Sequence, residues 1–152
     1  MPMTKPPTQG PARKTAILAV NGNQEDTSRL RRLLAGSSWD LCTAGTLAEA
    51  GEWLQRNPAP VVLCDTCLPD GDWRALLRMV NFLPKPPKVV VTSRHADETL
   101  WAEALNLGAF DVLAAPANQR EFFCTLSSAW RSWKERQQQG RAAARCAPAC
   151  AG

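Results

Sequence analysis

Five short apolar runs, each followed by a stretch of helical periodicity, constrain this chain more than any other feature of it. The first, Ala16-Ile17-Leu18-Ala19-Val20, is almost continuously apolar. That pattern fits a strand buried on both faces, as in a parallel sheet, better than the alternating pattern of a half-exposed strand. Comparable runs lie at 60–64 and 111–114, a weaker one at 39–43, and the most β-branched at Val89-Val90-Val91-Thr92. Between them, apolar side chains recur at helical spacing. Leu30, Leu33 and Leu34 stand before a stop at Gly36, and Leu47, Ala50, Trp53 and Leu54 follow a capping box of Thr46 and Glu49. Leu76, Leu77 and Val80 form a third stripe, and Leu100, Trp101, Ala104 and Leu105 a fourth, closed by Gly108. Phe122, Phe123, Leu126, Trp130 and Trp133 mark a last helix from 118 to about 138. Strand–helix alternation of this kind predicts an α/β, doubly wound sandwich: a five-stranded parallel sheet with helices on both faces. In such sheets the working site lies beyond the carboxyl ends of the strands. Here that places Asn21, Gly22, Asp65, Thr92 and Ala115 together.

The 152 residues suit one domain, with the periodic pattern confined to 15–138. Residues 1–14, with Pro2, Pro6, Pro7 and Pro11, read as a disordered lead-in. Residues 139–152, rich in Ala and Arg, read as a disordered tail too short to fold as a second domain. A stand-alone protein is therefore expected. No apolar run approaches the roughly 20 residues that span a bilayer, and the N-terminus has no apolar signal core, so the expected location is cytoplasmic. That location suits cysteines kept as free thiols, among them Cys42, Cys64, Cys67 and Cys124. Cys64 and Cys67 have CxxC spacing, but no second pair has the right neighbours, Cys146 and Cys150 lying in the tail, and His95 is the only histidine. Neither a zinc site nor a Ser-His-Asp triad can be assembled from such a set, and no enzymatic activity is expected. The net charge is +4, with Arg131, Lys134, Arg136, Arg141 and Arg145 gathered after residue 130 against Glu135. A solvated helix face accounts for this, with nucleic-acid binding as a weaker alternative, since no helix-turn-helix pattern follows.

Three strings, in order, carry a resemblance. Val61-Val62-Leu63-Cys64-Asp65-Thr66-Cys67-Leu68-Pro69-Asp70-Gly71-Asp72 is the first and Val89-Val90-Val91-Thr92-Ser93 the second. The third runs from Asp97-Glu98 through Ala104-Leu105 and Gly108-Ala109-Phe110-Asp111-Val112-Leu113 to Pro116. Together they resemble the receiver domain of bacterial two-component response regulators, the CheY-like superfamily, from about Lys14 to Gln138. The resemblance implies a flavodoxin-like fold with strands in the order 2-1-3-4-5. It also implies a phosphoacceptor aspartate at Asp65 and a switch hydroxyl at Thr92.

Three other parts of the family's pocket have no match. Asn21 and Gly22 stand where the resemblance implies an acidic, magnesium-holding pair. Ala115 stands where it implies a lysine, and Val112 where it implies an inward-turning aromatic. Phe110, two residues earlier, is expected on the same side as Val112. Magnesium favours hard oxygen ligands, usually with one or two carboxylates, and phosphoryl transfer needs cations at the transferring oxygens. The pocket is therefore expected to be degenerate, with magnesium binding weak or absent and no other cofactor. Glu25 and Asp26 could supply carboxylates, but their place at a helix start suits interaction with its dipole better. The expected function is that of an atypical receiver acting by protein–protein interaction. The alternative is a working acceptor phosphorylated on Asp65. The resemblance implies a histidine kinase or downstream effector as partner. It further implies homodimerisation through the fourth helix, fifth strand and fifth helix, where Trp101, Phe110, Trp130 and Trp133 lie. Trp73 is expected close to the site.

Overall fold

The computed structural model describes residues 14–115 and 118–151, with 140–151 as backbone. The expected lead-in lies outside the described residues except for Lys14. The elements follow the predicted alternation: β1 (Thr15–Val20), α1 (Gln24–Leu34), β2 (Trp39–Ala44), α2 (Leu47–Arg56) and β3 (Val61–Asp65). A two-stranded excursion, β4 (Cys67–Leu68) and β5 (Gly71–Asp72), precedes α3 (Trp73–Val80). Then come β6 (Lys88–Ser93), α4 (Glu98–Asn106), β7 (Asp111–Ala114) and α5 (Gln119–Ala151).

The main sheet is parallel and ordered β2-β1-β3-β6-β7, the 2-1-3-4-5 arrangement once the small β4–β5 ribbon is set aside. Successive side chains on a strand point to opposite faces, so each strand feeds two cores. Leu18, Val20, Val62, Cys64, Val89, Val91 and Val112 pack with α2, α3 and α4 through Ala50, Leu54, Trp73, Leu76, Leu77 and Ala104. Ile17, Ala19, Val61, Leu63, Val90 and Leu113 pack with α1 and α5 through Leu34, Phe122, Leu126 and Ala129. The nearly continuous apolar runs of β1, β3 and β6 follow from this double burial.

The helix starts are set by side chains that satisfy otherwise unpaired N–H groups. Asn23 accepts from Glu25 and Asp26, Thr46 from Glu49, Asp72 from Ala75, Asp97 from Leu100, and Asn118 from Glu121. Half of the expected Thr46–Glu49 capping box is present: the Glu49 N–H donates to Thr46 Oγ1, while the Glu49 carboxylate accepts from the Thr46 hydroxyl at 3.4 Å.

Several local expectations are corrected. Phe110 packs with the α1/α5 core, whereas Val112 faces the other, because Phe110 precedes β7 and its N–H donates to the Val89 carbonyl at 2.7 Å. Trp101 is 50% exposed rather than inward, since Ala104 and Leu100 suffice to seat α4. Helical backbone runs on to Ala151, past the expected end near Gln138; the extra stretch is rich in Ala and Arg, both strong helix formers.

Candidate functional site

The strand order reverses between β1 and β3, and the cleft beyond their carboxyl ends is the place such a sheet offers a ligand. Asn21 follows β1 directly, Asp65 ends β3, Thr92 lies near the end of β6, and Ala115 follows β7. All four line one cavity of about 710 Å³. Asp65 and Thr92 are direct partners in the β3–β6 register, so both side chains emerge side by side at the sheet's edge. Both are half-buried. Thr92 Oγ1 donates a long bond of 3.4 Å to the Cys64 carbonyl, and an Asp65 oxygen accepts from the Thr66 N–H at 2.8 Å. Gly22 is exposed next to Pro69 and Gly45 and does not line the cavity. Val112 is buried in the core below.

Two polar groups near Asp65, the Asn21 amide oxygen and the Asp26 carboxylate, are engaged elsewhere. Asn21 turns its amide oxygen back to accept from the Asn23 N–H at 2.7 Å. Asp26, in the first turn of α1, does more than meet the helix dipole. It accepts from Arg94 at 3.2 Å and lies 4.0 Å from Arg29. Glu25 is not among the lining residues. Among the described residues no three His, Cys, Asp or Glu side chains converge on a point.

Arg94 is the residue the sequence did not single out. It extends from the segment after β6, lines the cleft, and brings a guanidinium to the strand ends where Ala115 offers none. Its distance from Asp26, 68 positions along the chain, hides the pairing from any local pattern. The same holds for Asp70. Its two carboxylate oxygens accept from the Leu47 and Ala48 N–H groups at 2.7 and 3.0 Å, tying the β4–β5 ribbon to the start of α2. These bonds, that from Leu47 foremost, hold the Asp70 carboxyl below its ordinary range. Arg74 meets Glu103 through two bonds of 2.6 and 2.7 Å and Asp72 through a third of 3.0 Å, so α3 and α4 are joined. The Arg74 bonds lower the Glu103 pKa.

Trp73, expected near the site, is buried in the α2/α3/α4 core and does not line the cleft. Cys42, Cys64, Cys67 and Cys124 are free thiols. Burial, with Asp65 and Asp72 adding to it, pushes the Cys64 thiol far up and leaves it protonated. His95 lines the cleft beside Arg94. Among the described residues no helix is long and apolar enough to cross a membrane.

Comparison with known proteins places residues 17–127 within the model of the response regulator receiver domain. The transcriptional regulatory protein ZraR of Escherichia coli K12 is 30% identical over 114 residues, covering 74% of this chain and 26% of its own length. The chain thus spans about a quarter of that curated relative. A signal receiver domain of a LuxO repressor protein from Vibrio parahaemolyticus superposes with a TM-score of 0.76 at 18% identity, covering 82% of this chain and 96% of that one. The beryllofluoride-activated NtrC4 receiver domain dimer superposes with a TM-score of 0.72 at 25% identity, covering 78% and 98%.

Proposed function

The chain belongs to the response regulator receiver domain family, and from that membership we propose that it signals through protein contacts that do not depend on magnesium-assisted phosphorylation of Asp65. The observation that carries this reading is the engagement of Asn21 and Asp26, near Asp65, with other partners. Magnesium demands near-octahedral oxygen coordination and is usually held by one or two carboxylates. Asp65 supplies one. Asn21 is a neutral amide whose oxygen is committed to Asn23, Gly22 offers no side chain, and Asp26 is neutralised by Arg94. This donor set does not fit the ion. A phosphoryl group on Asp65 would add about −1.5 to −2 charge; Ala115 brings no cation to meet it, and Arg94, the cation that the segment after β6 supplies, pairs with Asp26 instead. Removing a single well-placed electrostatic donor costs about 3 kcal/mol in other transfer reactions, and here several are missing together.

Two further features support a fixed shape. Arg74 and Glu103 join α3 to α4, and Arg94 with Asp26 joins the segment after β6 to α1. The partner is a histidine kinase or an effector of the same signalling class. The face of α4, β7 and α5 is its docking surface or the contact of a homodimer. Trp101 and Leu107, 50% and 47% exposed on and just after α4, support that choice, as does the dimeric state of the NtrC4 receiver domain neighbour.

One observation favours the opposite reading. Asp65 and Thr92 still stand side by side, as an acceptor and its hydroxyl would. The deciding experiment is incubation with acetyl phosphate and magnesium followed by intact-mass measurement. The reading predicts an unmodified mass. An adduct of one phosphoryl group that disappears in Asp65→Asn would establish the acceptor function instead.

A further inference from the structure

The cleft at the strand ends does not stop at Asp65. It continues between α1 and α5, where Leu30, Leu33 and Phe122 form an apolar wall, and its volume of about 710 Å³ lies within the range of small-molecule sites. Its lining also carries Arg29, Arg32 and Arg94 with Asp26 and Asp65, three cations against two anions. Arg32 has no ion-pair partner among the described residues. Arg94 spends one donor on Asp26, and a guanidinium has five. Ala115, which also lines the cleft, brings only a methyl group to it.

We propose that this cleft binds a small amphipathic anion, with its carboxylate or phosphate head at Arg94 and its apolar body against Leu30, Leu33 and Phe122. A cationic fork at one end and an apolar trough at the other select that chemistry. An inorganic anion would leave the trough empty, and a neutral hydrocarbon would leave the surplus arginine charge unmet. Such a ligand bridges α1, the segment after β6 and the start of α5. It would therefore give the domain an input that needs neither metal nor phosphoryl transfer. The inference does not rest on the reading above, because Asp65, although it lines the same cleft, does not supply the head-binding group.

The test uses three probes with one apolar body and different heads: naphthoate, naphthyl phosphate and naphthyl methanol. Each is titrated into the full chain, with amide shifts followed by NMR. The expected result is saturable binding of at least one of the two anions. Shifts should be centred on residues 30–33, 92–95 and 113–115, and affinity should be at least about tenfold above that of naphthyl methanol, as loss of a charge-assisted bond implies. Which anion binds more tightly identifies the head. Arg94→Gln should remove the preference for the anions, Ala115→Phe should block all three probes, and Asp65→Asn should leave the anions bound. Non-saturating shifts, shifts centred on Trp101 and Leu107, equal affinity for all three heads, or anion binding lost in Asp65→Asn would each overturn the proposal. A thermal melt of each variant confirms the fold; should Arg94→Gln melt early, Arg94→Lys replaces it. There the proposal requires that part of the preference survives, and a preference equal to wild type would contradict a forked contact.

Discussion

Arg94 donates from Nη2 to Oδ1 of Asp26 across 3.2 Å, so a cation from the segment after β6 sits on the only carboxylate that α1 brings to the cleft among the described residues. The Arg94 side chain is 58% exposed and that of Asp26 18%. A pair this open contributes little to global stability, under about 1 kcal/mol, and is screened by salt. Its consequence is local. Arg94→Gln should leave the melting temperature almost unchanged while amides at 93–97 exchange with solvent faster. Hydrogen exchange with mass spectrometry checks this, and the difference should shrink as ionic strength rises.

Restoring charge to the pocket should restore chemistry. A Cβ at Gly22 would meet only Pro69 and Gly45 at 3.5 and 3.6 Å, ordinary contact distances, so an aspartate fits there. Asn21→Asp with Gly22→Asp should therefore fold and should accept phosphate on Asp65 from acetyl phosphate in a magnesium-dependent way. Adding Ala115→Lys should raise the rate further. Each regained electrostatic donor is worth on the order of a hundredfold in comparable reactions. The readout is the intact-mass adduct against time, with Asp65→Asn as the blank.

Asp70 makes the tie between the β4–β5 ribbon and α2 sensitive to acid. Hydrogen bonds from Leu47 and then Ala48 hold its folded pKa below the unfolded value of about 3.9. The stabilisation is therefore complete above the unfolded value and lost as pH falls through the folded one. Asp70→Asn should melt at a lower temperature than wild type near neutral pH. The gap should stay constant down to about pH 5 and close in stronger acid. Melts of both proteins across that range check the sign.

Two glycines with positive φ should differ in their tolerance of a methyl group. Gly71 has φ of 156°, and a Cβ there would collide with Leu47 Cδ1, the residue whose N–H Asp70 caps. Gly36 has φ of 78° with nothing nearby. Gly36→Ala should cost about 1 kcal/mol of backbone strain. Gly71→Ala should cost more, about 2–3 kcal/mol, because a φ of 156° is a backbone region that L side chains rarely adopt, and the end of the half-buried Leu47 side chain must also move aside. Urea unfolding of the two variants measures the difference.

The α/β class was legible in the sequence because double burial leaves a simple mark: Ile17 and Leu18 are neighbours in sequence yet belong to opposite cores, so both must be apolar. The strand order followed from the resemblance and agrees with the sheet. Helix starts were legible where the cap is local, as Thr46 and Glu49 show. The position of Asp65 beside Thr92 followed from their places at strand ends and agrees with the β3–β6 register. What escaped was long-range and polar. Arg94 with Asp26, Asp70 with Leu47 and Arg74 with Glu103 join residues 68, 23 and 29 positions apart, and nothing in their immediate neighbours encodes the partner. Phe110 was misplaced because the strand's period of two was extended one residue before β7 begins.

Manganese, a paramagnetic stand-in for magnesium, reports on charge at the strand ends without any phosphodonor. Titrated into the wild-type chain at millimolar concentration, it should broaden no amide signal selectively around Asp65 and Thr92. The Asn21→Asp, Gly22→Asp variant should lose those same signals first. Saturable broadening centred on Asp65 in the wild type, relieved by excess magnesium, would contradict the account.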